Sequence, residues 1–171
     1  MNKALFTHFY TSFFQFGYVT NDVEQAMANL DKNFGVKNFL TVGEMASKVK
    51  LADGREVTNE LILAFANVGD QQVELIQPVN DASGLYVGAL PQREGFSMVL
   101  HHLGHRFSDL AQWNSFRDQL DLNTHKLAFE NNGGSFHYLY TDERDSLGHF
   151  MEYMWLDDEG AAMFDAIPQN A

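Results

Sequence analysis

The chain has 171 residues, enough for one domain with a sizeable core or for two small modules that share one. Its 45% hydrophobic and 13% aromatic residues exclude wholesale disorder, and the absence of cysteine excludes thiol catalysis, thiolate metal sites and disulfides. With 23 acidic against 11 basic side chains the net charge is −12, which argues against nucleic acid as a partner.

The N-terminal stretch, residues 1–12, is rich in aromatic side chains, and we expect it to pack on the domain or on a second subunit. The first 16 residues lack the small-residue cleavage site of a signal peptide. No apolar run in the chain approaches the length that spans a membrane. We therefore expect no membrane partner and a cytoplasmic location.

A first module is predicted from about residue 13 to 78. Its first strand, Phe13 to Thr20, alternates along two faces, and Asn21 or Asp22 can cap a helix to about Asn33 that Gly35 ends. Extended runs follow at Phe39 to Val42, Met45 to Leu51, Asn59 to Asn67 and Gln71 to Gln77.

Two acidic residues of this module are predicted to point away from the helix. On the third strand Leu61, Leu63 and Phe65 form a core-like face, which leaves Glu60 on the other face. On the last strand the apolar neighbours of Glu74 place it on the opposite face in the same way.

Residues 79–96 read as a connection, and a second module follows at about 97–156. It begins with a strand, continues with a helix from about Leu110 to Leu120, and ends with strands near Leu127 to Glu130, Ser135 to Tyr140 and Phe150 to Leu156. The tail, 157–171, is predicted to be a short helix or a frayed end. The prediction is therefore one α+β domain made of two βαβββ modules.

The two modules begin with the same pattern of residues. Gln15 opens the sequence QFGYVTND and His102 opens HLGHRFSD, so that a potential metal ligand precedes Asp22 or Asp109 by seven positions. Each acid begins an amphipathic helix. Such an internal repeat indicates a duplicated unit that closes its core only together with its copy.

Each module offers one potential metal ligand on its first strand and one on its last strand. These four are Gln15, Glu74, His102 and Glu152. Neighbouring residues in a strand point to opposite faces, so we expect His101, like His105, to face away from His102 and to be structural.

At these residues the chain resembles the vicinal oxygen chelate superfamily, which includes glyoxalase I and methylmalonyl-CoA epimerase. The resemblance covers about residues 13 to 156 and rests on the two repeat motifs above, on Val73 to Pro78, VELIQP, and on Gly148 four residues before Glu152. It implies a cupped mixed sheet with helices outside and one divalent metal at the centre.

The resemblance also implies a function. Gln15, Glu74, His102 and Glu152 would hold Zn, Co, Ni or Mn, which suits one imidazole, one amide oxygen and two carboxylates. The substrate would be a small molecule with adjacent oxygens, a hydroxy-carbonyl or an acyl thioester, that loses a proton next to its carbonyl. Glu152 would be the base, and Glu60 resembles the position of a second base. A homodimer is expected from the same resemblance.

Two other functions compete with this isomerase, epimerase or lyase hypothesis. An extradiol-type dioxygenase needs two histidines and one carboxylate on iron, and Gln15 stands where its first histidine would be. A metal-free binding protein, similar to bleomycin resistance proteins, would not need all four ligand-type residues.

Overall fold

The computed structural model describes residues 13–170, so the lead-in predicted at residues 1–12 lies outside the described residues. The strands are β1 (Phe13–Thr20), β2 (Leu40–Leu51), β3 (Glu56–Val68), β4 (Gln71–Asn80), β5 (Met98–Arg106), β6 (Lys126–Asn131), β7 (Phe136–Asp142), β8 (Phe150–Leu156) and β9 (Gln169–Asn170). The helices are α1 (Val23–Phe34), α2 (Leu110–Gln119) and α3 (Asp158–Asp165), with a short 3-10 turn at Val87–Ala89.

The strands form one mixed sheet that closes on itself. The order is β2-β6-β7-β8-β5-β1-β4-β3-β9, and β2 also pairs with β3. At the centre β1 and β5 are antiparallel, while each runs parallel to the last long strand of its own module, β4 or β8. The predicted α+β cup is thus confirmed, and its eight long strands repeat one arrangement twice.

The helices begin where the sequence predicts because each has an aspartate cap. The Asp22 and Asp109 side chains accept hydrogen bonds from the backbone N–H groups of Gln25 and Gln112, at 2.9 and 2.8 Å. Gly35 ends α1 in the left-handed conformation, with φ of 74°. Helix α1 packs outside β3 and β4 and α2 outside β8, which leaves the inner faces of the central strands for the site.

Two segments are more regular than predicted. The runs at Phe39 to Val42 and Met45 to Leu51 join into the single strand β2. The tail is not frayed: it forms α3 and then β9, which pairs in parallel with the edge of β3. The Asn170 side chain accepts from the backbone N–H groups of Lys37 and Asn38 and donates to the carbonyls of Asn38 and Asn67. Within residues 13–170, no helix is long and apolar enough to cross a membrane.

The predicted orientation of β3 is wrong. Leu61 lies in an apolar cluster inside the closed sheet, whereas Ala64 and Ala66, of the other parity, pack against α1. Both faces of β3 are buried, so alternation of apolar and polar residues could not tell the inner face from the outer one. Glu60 accordingly lies on the outward face, paired with Ala46.

Candidate metal site

The four side chains that the repeat singles out meet at one point inside the sheet. Gln15, Glu74, His102 and Glu152 come from the neighbouring strands β1, β4, β5 and β8, and all four are buried. The His102 Nε2 atom lies 3.2 Å from Gln15 Oε1, 3.2 Å from Glu74 Oε2 and 3.4 Å from Glu152 Oε2. The ligand atoms of Glu74, His102 and Glu152 all lie within 4.8 Å of one another, close enough to hold one metal ion.

The register of the central strands explains this convergence. Gly17 of β1 lies between Glu74 of β4 and His102 of β5. Two residues along these strands, Gly104 of β5 lies between Gln15 of β1 and Glu152 of β8. The two rows are copies of each other, because each contains a glycine, a carboxylate from a last strand and a ligand from a first strand.

Each glycine makes room for a ligand of the other module. A Cβ atom on Gly17 would lie 1.9 Å from His102 Cε1, and one on Gly104 would lie 2.7 Å from Gln15 Oε1. Real Cβ atoms do not approach other heavy atoms this closely. Both glycines stand two positions after a first-strand ligand in the aligned repeats, a signal that could have identified them from the sequence.

The hydrogen bonding inside the cluster is incomplete without a cation. The one hydrogen that His102 Nε2 can carry cannot serve three surrounding oxygens. Glu74 Oε2 and Glu152 Oε2 are both buried and have no hydrogen-bond partner, although such atoms are costly to leave unsatisfied. A neutral imidazole, an amide oxygen and two carboxylates would instead balance the charge of a divalent ion, so the donor set fits a metal.

The electrostatics of the cluster agree with this. Burial raises the pKa of Glu74, and the nearby charge of Glu152 raises it further, while His102 lowers it. Burial by itself would lower the pKa of His102, but the carboxylates of Glu152 and Glu74 raise it to about 9. A pKa of about 9 places a proton on His102 at neutral pH, and its positive charge lies beside the two carboxylates.

His101 does not face away from His102, contrary to our prediction. The β1–β5 pairing shifts register between Gly17 and Tyr18, which pair with His102 and Leu100, so His101 is the extra residue of a β-bulge. Its ring points into the cup and its Nδ1 lies 3.1 Å from His102 Nδ1. Burial, followed by the charge of His102, holds the pKa of His101 well below its ordinary value, so it is neutral. His105 does lie on the outer side, against Phe107 and Tyr153.

This contact defines the tautomer that metal binding would need. If His102 offers the lone pair of Nε2 to a metal, its Nδ1 carries the hydrogen and donates it to His101.

Gln15 is also held in one orientation by a neighbour. Its amide nitrogen donates to Gln72 Oε1 at 2.7 Å, which turns the Gln15 Oε1 atom toward His102. The sequence analysis assigned His101 to the opposite face and did not identify Gln72, since neither residue belongs to the repeat.

Two cavities border the carboxylates. A cavity of about 140 Å³ lies under α3 and is lined mainly by aromatic, aliphatic and methionine side chains. A second cavity of about 80 Å³ is lined in part by Tyr86, Tyr138 and Tyr140. Glu74 and Glu152 line both, so a molecule in either cavity would touch the cluster.

Glu60 lines neither cavity. Met45 and Ser47, which flank its partner Ala46 on β2, each line at least one of them. A catalytic role for Glu60 stays a prediction that this placement does not favour.

The family model of the Glyoxalase/Bleomycin resistance protein/Dioxygenase superfamily matches residues 14–115, more than half of the chain. The chain belongs to this superfamily. No curated protein sequence matches it. The matched region contains the first module and the start of the second, including both glycines described above.

Several solved structures share the superfamily fold. Methylmalonyl-CoA epimerase from Mycobacterium tuberculosis is 18% identical, with a TM-score of 0.54 over 89% of this chain and 92% of that one. A variant of the Streptomyces coelicolor epimerase, in complex with 2-nitronate-propionyl-CoA, is 15% identical, with a TM-score of 0.54 over 86% and 96%. A hypothetical protein from Bacillus halodurans C-125 is 13% identical, with the same TM-score over 85% and 94%. These identities support the fold alone.

Proposed function

We propose that this protein is a divalent-metal-dependent enzyme that removes a proton next to a carbonyl group, as an epimerase, isomerase or lyase does. The observation that carries the proposal is the convergence of Gln15, Glu74, His102 and Glu152, in which two buried carboxylate oxygens lie beside His102 without a hydrogen-bond partner. Zn, Co, Ni and Mn suit these ligands. A bound metal would stabilise the negative charge that develops on the substrate oxygen when the proton leaves.

The chain's own residues supply the rest of the mechanism. Glu152 is the proposed base: its carboxylate borders both cavities, where a substrate carbon can approach it. Burial of this carboxylate removes water that would otherwise compete for the proton. Gln72 and His101 hold Gln15 and His102 in the orientation that directs Oε1 and Nε2 to the centre. After the proton returns to the same carbon or moves to a neighbouring atom, Glu152 is again free to act.

The two competing functions agree less well with the geometry. The dioxygenase site requires two imidazoles at the metal, but His101 meets His102 at Nδ1, on the far side of the ring from the cluster. A metal-free binding protein would have to bury Glu74 and Glu152 together without a balancing dication, which is unfavourable. The single imidazole and the paired carboxylates therefore favour proton transfer.

Solvent deuterium exchange with metal analysis tests the proposal. The protein is loaded with Zn, Co, Ni or Mn, and hydroxy-carbonyl and 2-methyl-acyl thioester compounds are incubated with it in D₂O and followed by NMR. The first class carries the adjacent oxygens, and the epimerases to which the fold is similar include one that binds a propionyl-CoA derivative. We expect one metal ion per chain and, in at least one of the two classes, deuterium at the carbon next to the carbonyl.

A matched pair of variants makes this test specific. Glu152→Gln should lower metal affinity at least about tenfold and abolish exchange, because it removes one of the two carboxylates. Glu56→Gln, an exposed residue of β3, should change neither. Absence of metal uptake by the unaltered protein, or full exchange by Glu152→Gln, would overturn the proposal. The homodimer expected from the resemblance stays a prediction, which the mass of the protein in solution tests.

A further inference from the structure

The larger cavity beside the cluster has the size and lining of a pocket for a compact apolar group. Its volume is about 140 Å³, and an engineered protein cavity of about 150 Å³ is large enough to bind benzene. Phe65, Phe136 and Phe164 contribute aromatic surface, and Met45, Met154 and Met163 contribute flexible, polarizable side chains. The polar groups of the lining are concentrated at the cluster, in Gln15, Glu74 and Glu152.

The C-terminal segment closes one side of this cavity. Phe164 of α3 and Ile167 after it are buried, and the Phe164 ring packs against Phe14, Phe65 and Phe136. The segment is held down at its end by β9 and by the four hydrogen bonds of Asn170. The wall is therefore part of the folded domain, and it limits the length of any group that enters.

The segments that carry the exposed lining residues are acidic. Met45 and Met163 are the two lining residues that are more than a third exposed, 38% and 48%. Exposed acids stand near both in the sequence: Glu44 beside Met45, and Glu159 and Asp165 on the helix of Met163.

The described linings of the two cavities contain no basic side chain. Neither cavity is lined by a lysine or an arginine among the residues that the structure describes. Lys48, on the same strand as Met45, pairs with Glu56, and the Arg106 guanidinium lies 5.7 Å from the centre of the Phe164 ring, on the wall itself. A phosphate-bearing carrier would therefore find no lysine or arginine in the described lining of either cavity.

From these observations we infer the substrate class, an inference that rests on the proposed function. The substrate is a free small molecule in which two adjacent oxygens are joined to an uncharged aryl or branched alkyl group of about six carbons. The oxygens meet the cluster, and the apolar group occupies the 140 Å³ cavity under α3. A coenzyme A thioester is a poorer ligand by this inference, because no lysine or arginine among the described residues lines either cavity to receive its phosphates.

Two hydroxamic acids of different size test the inference on the metal-loaded protein. Benzohydroxamic acid and acetohydroxamic acid carry the same adjacent oxygens and differ only in a phenyl or a methyl group. By calorimetric titration we expect the phenyl compound to bind about 10- to 100-fold more tightly, because the ring buries about five more carbon atoms. Methylmalonyl-CoA should compete at least about 100-fold more weakly than the phenyl compound.

A cavity-filling variant localises the effect. Val42→Phe places a ring in the cavity and should remove the preference for the phenyl compound while leaving metal affinity and acetohydroxamic acid binding unchanged. Thr41→Phe adds the same ring at the exposed neighbouring position and should keep the preference. Equal affinity for the two acids, or tight binding of methylmalonyl-CoA, in a protein that does bind metal would overturn the inference alone. Failure to bind metal would overturn the proposed function instead.

Discussion

The arrangement of the site depends on a glycine that touches no substrate, and Gly17→Ala tests this. The added Cβ would lie 1.9 Å from His102 Cε1 and 2.3 Å from both ring nitrogens, whereas ordinary contacts begin near 3.4 Å. The ring must therefore move by more than an ångström, out of a fully buried position between two strands. Because a ligand displaced that far no longer meets Gln15 and Glu74, we expect metal affinity to fall at least about 100-fold.

The same substitution should cost folding stability, about 1–3 kcal/mol, which is typical of overpacking. Metal affinity is measured by competition with a chromophoric chelator, and stability by chemical denaturation of the metal-free protein. Gly43→Ala is the matched control, since nothing lies within 4 Å of a Cβ built at that β2 position. If Gly17→Ala bound metal within threefold of the unaltered protein, His102 could not be a ligand in the geometry described.

Neighbouring contacts support three further predictions. His101→Phe keeps a ring against Tyr86 but removes the acceptor of the His102 hydrogen. Metal affinity should therefore drop about 10- to 100-fold while the denaturation midpoint changes little. Unchanged metal affinity would contradict the positioning role of His101. A metal must displace the proton that His102 holds with a pKa of about 9. The apparent affinity for metal, measured by competition titration, should therefore rise about tenfold per pH unit from pH 6.5 to 8. A metal affinity that does not change with pH would show that His102 does not lose a proton on metal binding. Asn170→Ala removes four hydrogen bonds that anchor the C-terminal segment, and it should lower the free energy of unfolding by about 2–4 kcal/mol. The control Asn132→Ala, at an exposed position, should lower it by less than about 0.5 kcal/mol.

Much of the fold could be predicted because the chain uses strong local signals. Asp22 and Asp109 cap helices, Gly35 ends one, and the same seven-residue spacing from Gln15 and His102 shows that the unit is duplicated. Duplication also relates positions that are far apart in the chain. For this reason the repeat in the sequence was enough to group Gln15, Glu74, His102 and Glu152, the four side chains that the structure brings together.

The errors came from places where tertiary context overrides a local pattern. Strand alternation predicts that His101 and His102 face opposite ways, but one inserted residue in the β1–β5 ladder turns both rings inward. Alternation also failed on β3, since the closed sheet buries Leu61 inside and Ala64 outside and leaves no polar face to identify. Single-strand patterns contain no information about the partner strand, so neither error could be corrected from sequence spacing.

The paired rows of the central strands give a physical reason for the duplication. A carboxylate from β4 and an imidazole from β5 can approach each other across β1 only where β1 has no side chain, at Gly17, and the same holds for Gln15 and Glu152 across Gly104. Each module therefore contributes two side chains of the cluster and the gap that a cluster side chain of the other module occupies. A single module contains two such side chains and one gap, so by this geometry neither copy could assemble the four-residue cluster without the other.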